Sequence, residues 1–222
     1  MDKTKLKGVA ALIAAAVAVI LAAFLCMSFP MAEVHAETAV AKVTAATGET
    51  QTYEKLSDAF MAAKDGDTID ILQDASENSE ADLAYGYGEE GEGGVWMFIQ
   101  DKSLTINGNG HTLTSNTAAW AMYVINTEGK QTELTLNDLT IDFRTQKVNY
   151  GSPITATPIT LFNGGITLNL NNVTLDSTES GGGNVPTILS SGQTGGNVIN
   201  VRGGSRLLAK QENGYAFWAS KP

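Results

Sequence analysis

The sequence predicts an all-β fold, a parallel β-helix of stacked coils preceded by an export segment. Two observations carry this. Beyond residue 100 the chain repeats four times at intervals of about 30 residues, a period that signals stacked architectures. Each repeat holds three short strand patterns and no helical one, so βαβ units, whose crossovers need about a dozen residues, do not fit. Propeller blades of four strands ask for about 40–45 residues and do not fit either. Composition adds exclusions. The 222 residues carry 24 acids and 14 bases, and a net charge of −10 speaks against a nucleic-acid partner, which needs a Lys/Arg surface. Hydrophobic residues at 43% are enough for a packed core. One cysteine forms neither an internal disulfide nor a Cys-rich zinc site.

The first element is the export segment. Lys3, Lys5 and Lys7 precede an apolar run from Gly8 to Phe29, followed by Pro30 and the triplet Val34-His35-Ala36. A basic start, an apolar middle and a small-residue end predict a secretory signal peptide over residues 1–36, cleaved after Ala36. The run also reaches the ~20 residues of a bilayer crossing, so an uncleaved anchor is the alternative. A membrane would then be met only through this segment. Leu25 is too large to precede a lipidated Cys26. The expected location is secreted or cell-surface. Cleavage removes Asp2, Lys3, Lys5, Lys7, Cys26 and Glu33, which leaves 11 bases, 22 acids and no cysteine.

Residues 37–51, rich in Ala, Thr and Val, read as a leading strand and linker. Thr52 to Lys64 reads as a helix, because Leu56, Phe60 and Ala63 recur at helical spacing, with Thr52 as its N-cap and Gly66 as its left-handed terminator. Thr68 to Leu72 alternates as a strand, with Ile69 and Ile71 on one face. Residues 74–94 read as an acidic, glycine-rich loop. From Asp65 to Glu92 there are ten acids and no base, whereas Ser103 to Pro222 holds seven of each. The acidity is therefore local.

The repeat aligns Leu104-Thr105-Ile106-Asn107, Leu134-Thr135-Leu136-Asn137, Leu168-Asn169-Leu170-Asn171 and Ile199-Asn200-Val201-Arg202, with ends 30, 34 and 31 residues apart. A second strand follows each, at His111–Thr114, Leu139–Asp142, Val173–Asp176 and Ser205–Leu208. A third precedes each, at Trp96–Ile99, Met122–Ile125, Ile159–Phe162 and Thr187–Leu189, and Tyr215–Trp218 begins a fifth turn. Three strands in ~30 residues fit one coil of a parallel β-helix, whose equivalent strands stack about 4.8 Å apart. Asn107, Asn137 and Asn171 share one place at the strand end. Asn tolerates the left-handed backbone of a sharp turn, and stacked amides hydrogen-bond along the column. Arg202 breaks that column.

The stretches LSDAFMAAKDGDTIDILQD (Leu56–Asp74) and SLTINGNGHTLT (Ser103–Thr114) resemble the right-handed parallel β-helix, pectate-lyase-like proteins of bacterial surfaces. The resemblance runs from about Tyr53 to the end. It implies a right-handed helix whose first coil is capped by a short amphipathic helix, here over residues 52–64. The predicted domains are thus a signal peptide at 1–36, the leading strand and linker at 37–51, and the helix-capped parallel β-helix at 52–222. The resemblance specifies architecture rather than activity, since the architecture carries lyases, hydrolases, epimerases and adhesive stalks.

Candidate chemistry sits on the second strand. Its outward residues stack as Thr112/Thr140/Thr174 and Thr114/Asp142/Asp176, and Arg144 lies two residues past Asp142 on the same face. Two carboxylates one coil apart approach the ~5 Å of a retaining glycosidase, and two acids beside an arginine suit Ca²⁺ with an acidic sugar. Against catalysis, Asp142 and Asp176 are also turn-initiating residues, and the adjacent coils offer only Thr114 and Leu208. Thr140, Asp142, Arg144, Thr174 and Asp176 are therefore the expected ligand-binding residues, with no catalytic residue, metal ligand or cofactor assigned; Ca²⁺ is the ion the acids would attract. His111, the one histidine left after cleavage, reads as a turn residue. Trp96, Trp120 and Trp218 read as packing, and the acidic window as a solvated loop. Gly108-Asn109-Gly110 lies between strands and is no phosphate loop.

The expected function is a non-catalytic secreted or cell-surface stalk or adhesive surface that contacts glycans or host molecules. One alternative is a polysaccharide lyase or glycoside hydrolase on acidic polysaccharide. Another is the N-terminal part of a larger surface protein, because Trp218 to Pro222 follow an apolar strand with no cap or sorting signal.

Overall fold

Residue period 2 governs the strands of the larger sheet: apolar side chains point inward at every second position, and the strands pair in register. The computed structural model describes residues 38–86, 94–146, 156–181, 185–191, 196–210 and 214–219. The predicted signal peptide and part of the predicted acidic loop (87–93) lie outside the described residues. The elements are β1 (Ala41–Thr44), β2 (Thr50–Tyr53), α1 (Leu56–Ala62), β3 (Thr68–Ile71), β4 (Ala75–Glu77), β5 (Tyr85–Gly86), β6 (Gly94–Gln100), β7 (Leu104–Asn107) and β8 (Thr112–Ser115). They continue with β9 (Trp120–Ile125), β10 (Thr132–Phe143), β11 (Thr157–Phe162), β12 (Ile166–Asp176), β13 (Val185–Ser191), β14 (Val198–Arg202), β15 (Arg206–Leu208) and β16 (Gly214–Ala219).

The protein is all-β with parallel sheets. The larger sheet runs β14-β12-β10-β7-β3-β1-β2, parallel from β14 to β3 and antiparallel where β1 joins β3 and β2. The smaller runs β16-β13-β11-β9-β6-β5, parallel except for the short β5 edge. Each repeat adds one strand to the smaller sheet and one or two to the larger. In-register columns of fully buried side chains form the core: Ile69, Ile106, Leu136 and Leu170 on the larger sheet, and Met97, Met122, Ile159 and Ile188 on the smaller. Each such side chain contributes roughly 1.5–3 kcal/mol of burial. The five parallel strands of the smaller sheet contain no charged residue, and β11 and β13 are buried at almost every position. That is the composition of a parallel sheet covered on both faces.

In the two middle repeats the predicted first and second strands fuse into β10 and β12. In the first and fourth they remain separate, as β7 with β8 and β14 with β15, and both pieces pair with the fused neighbour. The left-handed residues are not Asn107, Asn137 or Asn171, as the sequence suggested, but the residues just beyond: Asp138 (φ 48°) and Asn172 (φ 56°). A strand-end asparagine whose side chain belongs to a ladder must keep extended backbone, so the kink falls one place on. Gly108 is required at the corresponding bend, where an added Cβ would sit 2.4 Å from the Asp138 carbonyl oxygen.

The helix is shorter than predicted. Thr52 lies in β2, paired with Lys42 of β1, so it cannot cap α1; Lys55 occupies the N-cap without a side-chain capping bond. Leu56, Ala59 and Phe60 are buried, and α1 packs against β6 and the β1–β2 pair. Lys102 closes its other end, donating from Nζ to the carbonyls of Phe60 (2.6 Å) and Ala63 (2.7 Å). Burial lowers the pKa of this half-buried amine. Gly66 is left-handed (φ 82°) but serves the turn into β3, beyond the helix end. Residues 74–86 are not a featureless loop: they hold β4, a single 3-10 turn and β5. Among the described residues no helix is long and apolar enough to cross a membrane.

Candidate functional site

Outward positions of the larger sheet form polar columns, because polar residues at period 2 cannot enter the core. One column is a ladder of amides. Asn171 Nδ2 donates to Asn137 Oδ1 (2.9 Å), Asn137 Nδ2 to Asn107 Oδ1 (3.0 Å), and Asn107 Nδ2 to Asp70 Oδ1 (2.8 Å). Lys42 pairs with Asp70 at 2.9 Å. Burial pushes the Asp70 carboxyl up, but the bonds from Asn107 and Lys42 outweigh this and leave its pKa below the ordinary value. The neighbouring column sets Thr105, Thr135, Asn169 and Asn200 in register. Asn200 Nδ2 donates to Asn169 Oδ1 (2.8 Å), and Asn169 Nδ2 donates to Glu133 Oε1 (2.7 Å) and Thr135 Oγ1 (3.2 Å).

Past the kinks at Asp138 and Asn172 lie the residues singled out from sequence. Thr140 is in register with Thr112 and Thr174, and Asp142 with Thr114 and Asp176. The flanking repeats contribute Ser76 beside Thr114, Arg206 beside Thr174 and Leu208 beside Asp176. Arg144 pairs with its neighbour on the same face: its Nε and Nη2 atoms lie 2.8 and 2.5 Å from Asp142 Oδ2. The hydrogen bond that the guanidinium donates to Asp142 raises its pKa further. Asp176 Oδ1 accepts from the Thr178 backbone N–H (2.9 Å) and hydroxyl (2.6 Å), a turn-initiating arrangement. The two carboxylates thus share a face but have different occupations.

Several acids in the described part of the acidic window bond to the backbone of other segments. Asp65 accepts from the Ser103 N–H (2.7 Å), and the buried Asp67 from the N–H groups of Lys64 (2.8 Å) and Ala46 (3.1 Å). Asp82 accepts from the N–H groups of Asn78 and Ser79. Glu77 is fully buried, and its carboxylate gathers the N–H groups of Asn116 (3.2 Å), Thr117 (3.0 Å) and Ala118 (2.9 Å) and the hydroxyls of Ser115 and Thr117. Those donors form the bend between β8 and β9, and a carboxylate from the adjacent repeat satisfies them. His111 has an acidic partner that sequence did not reveal: its Nδ1 lies 3.1 Å from Asp74 Oδ1, which also accepts the Thr112 N–H (2.9 Å). The Thr112 N–H, and secondarily His111, lower the Asp74 pKa. The pair is exposed, and the only signal for it was that both residues stand at strand starts in adjacent repeats. Among the described residues no group of three or more His, Cys, Asp or Glu side chains is placed to hold a metal ion.

Trp96 is 2% exposed and belongs to the core. Phe98, Tyr123 and Phe162 stack on the outer face of the smaller sheet, with centroids 6.2 and 6.0 Å apart and planes within 28°. Trp120 meets Tyr123 edge-on, and Trp218 meets Tyr215 likewise. The stacked rings direct their faces at one another, which makes them packing across strands.

Parallel sheets extended repeat by repeat, with polar ladders on their outward positions, define a repeat protein with a periodic polar surface. The chain belongs to the pectate lyase-like adhesive domain family, whose model matches residues 48–181. No curated protein and no solved structure matches the chain.

Proposed function

We propose that the chain is a right-handed parallel β-helix at residues 52–222, led by 37–51, exported by its first 36 residues, and displayed as a non-catalytic adhesive surface. In this reading α1 and the β1–β2 pair close the first coil. They would cover both the apolar interior and the edge of β3, which would otherwise be a site of unwanted pairing. The partner is a glycan or hydroxyl-rich host surface, met by Thr140, Asp142, Arg144, Thr174 and Asp176 and the ladders beside them. No cofactor takes part, and the location is secreted or cell-surface.

One observation carries the reading: polar side chains repeat in register over successive strands, so that donors and acceptors recur at the strand spacing of about 4.8 Å. Such a face suits an extended polymer with its own repeat. Membership in an adhesive family supports it. A lyase reading is weaker, since Asp142 is bound to Arg144 and Asp176 to Thr178. A glycan array probed with the protein, and with Asp142→Ala/Asp176→Ala, tests the proposal. Binding by the parent and loss in the double variant are expected; a blank array would leave a structural stalk. New unsaturated ends from polygalacturonate, with or without Ca²⁺, would instead establish a lyase. Val198, Val201, Tyr215 and Phe217, 41–49% exposed on β14 and β16, favour a second reading, in which a further coil of a larger surface protein covers them. Reading the gene beyond the Pro222 codon tests that.

A further inference from the structure

We propose that a cleft centred on Glu133 is a saccharide subsite selective for neutral sugars. It rests on the glycan reading above but lies elsewhere, before the kinks of the larger sheet rather than after them. The cleft has a volume of about 250 Å³ and is lined by Gly66, Ser103, Leu104, Thr105, Glu133 and Thr135. Concavity with a few convergent polar groups is the general form of a small-ligand site.

The hydrogen-bond inventory gives the ligand its chemistry. Ser103 Oγ accepts the Glu133 backbone N–H (3.0 Å), and Thr135 Oγ1 accepts Asn169 Nδ2 (3.2 Å). A hydroxyl has one proton to donate, and in both residues these bonds occupy the oxygen as acceptor, so the protons are directed to other partners. The Glu133 carboxylate only accepts, and it has about four lone-pair sites, one of which meets Asn169. Two donors and an acceptor, on β10 and just before β7, match neighbouring sugar hydroxyls, each of which both donates and accepts. The relay from Asn200 through Asn169 holds Glu133 in place before any ligand arrives, which reduces the ordering cost of binding.

Charge sets the selectivity. Among the described lining residues there is no Lys or Arg, and the sole charged one is Glu133. A uronate carboxylate would meet it without a cation to compensate, whereas a neutral hexose or pentose would not.

Isothermal titration of the full chain with β-linked gluco-, xylo- and manno-oligosaccharides and with oligogalacturonates tests this. At least one neutral series should bind and the oligogalacturonates should bind more weakly. Glu133→Ala should weaken neutral-sugar binding about tenfold or more, and Glu133→Gln, which keeps an acceptor oxygen, by less. Unchanged circular dichroism and melting temperature in both variants would show that the fold persists. Neutral-sugar binding that survives Glu133→Ala but is lost in Asp142→Ala/Asp176→Ala would overturn the cleft and leave the glycan reading standing. Preference for oligogalacturonates would overturn its selectivity. No saccharide binding by the parent chain would remove both.

Discussion

Two parts of this molecule solve the same problem with different chemistry. In the repeats between β7 and β14, side chains outside the sheet bond to their equivalents one strand away, through neutral amides and hydroxyls. In the entry segment, Asp65 to Asp82, no equivalent precedes each residue. There carboxylates bind backbone N–H groups of distant segments: Asp65 that of Ser103, Asp67 that of Ala46, Asp74 that of Thr112, and Glu77 those of Asn116, Thr117 and Ala118. Periodic structure can satisfy itself with its own copies, whereas its boundary needs acceptors brought from elsewhere. Charge-assisted bonds are the stronger kind, which suits an irregular boundary with few contacts to share the load.

The contrast can be broken most forcibly at Glu77. Glu77→Ala leaves several buried donors unsatisfied, each costing about 1–3 kcal/mol. A loss near 3–5 kcal/mol, or a melting point lower by about 10 °C, is expected in thermal unfolding. A fall under 1 °C would mean that water replaces the carboxylate. In the ladder, Asn137→Ala removes two side-chain bonds, and about 1–2 kcal/mol should disappear from urea-unfolding free energy without a change in m-value. If Asn137→Ala cost more than Glu77→Ala, the boundary would not be the more heavily stressed part. Acid gives the smallest effect. Folding lowers the pKa of Asp70, Asp74 and Asp101; for Asp101 burial raises it, and the bonds from Thr127 and Glu128 outweigh that. A depressed carboxylate adds stability above its unfolded pKa of about 3.9 and loses it as pH falls through the folded value. The melting temperature should therefore show no pH dependence from these groups between pH 7 and 5, where their contribution is fully present, and should drop below about pH 4.

The repeats were the legible part of the sequence. Leu134-Thr135-Leu136-Asn137 and its equivalents announce both strand period and register, because an inward residue must be apolar at each copy. The stacking of Asp142 with Asp176 followed from the same alignment. What the copies do not contain could not be read. Nothing local marks Asp74 as the partner of His111, or Glu77 as the acceptor for a bend some 40 residues later. A run of acids next to glycines resembles a solvated loop until the turns it serves are in place. Likewise Arg144 turns back to Asp142, a choice of rotamer that periodicity does not encode. Thr52 failed as a helix cap because strand pairing with Lys42 outcompeted a local signal.

The amide ladder has one further property. An asparagine amide reads the same in either direction, so a row of them could point all one way or all the other. Asp70 removes the choice. An ionised carboxylate has no proton to give, so Asn107 must donate to it, Asn137 must then donate to Asn107, and Asn171 to Asn137. At the far end Arg202, which can only donate, stands in register beside Asn171. One charge at the first rung thus acts as a boundary condition that fixes the sign of every rung above it. Because hydrogen bonds in a chain polarise one another, the column carries a directed dipole across the sheet, written by a single residue.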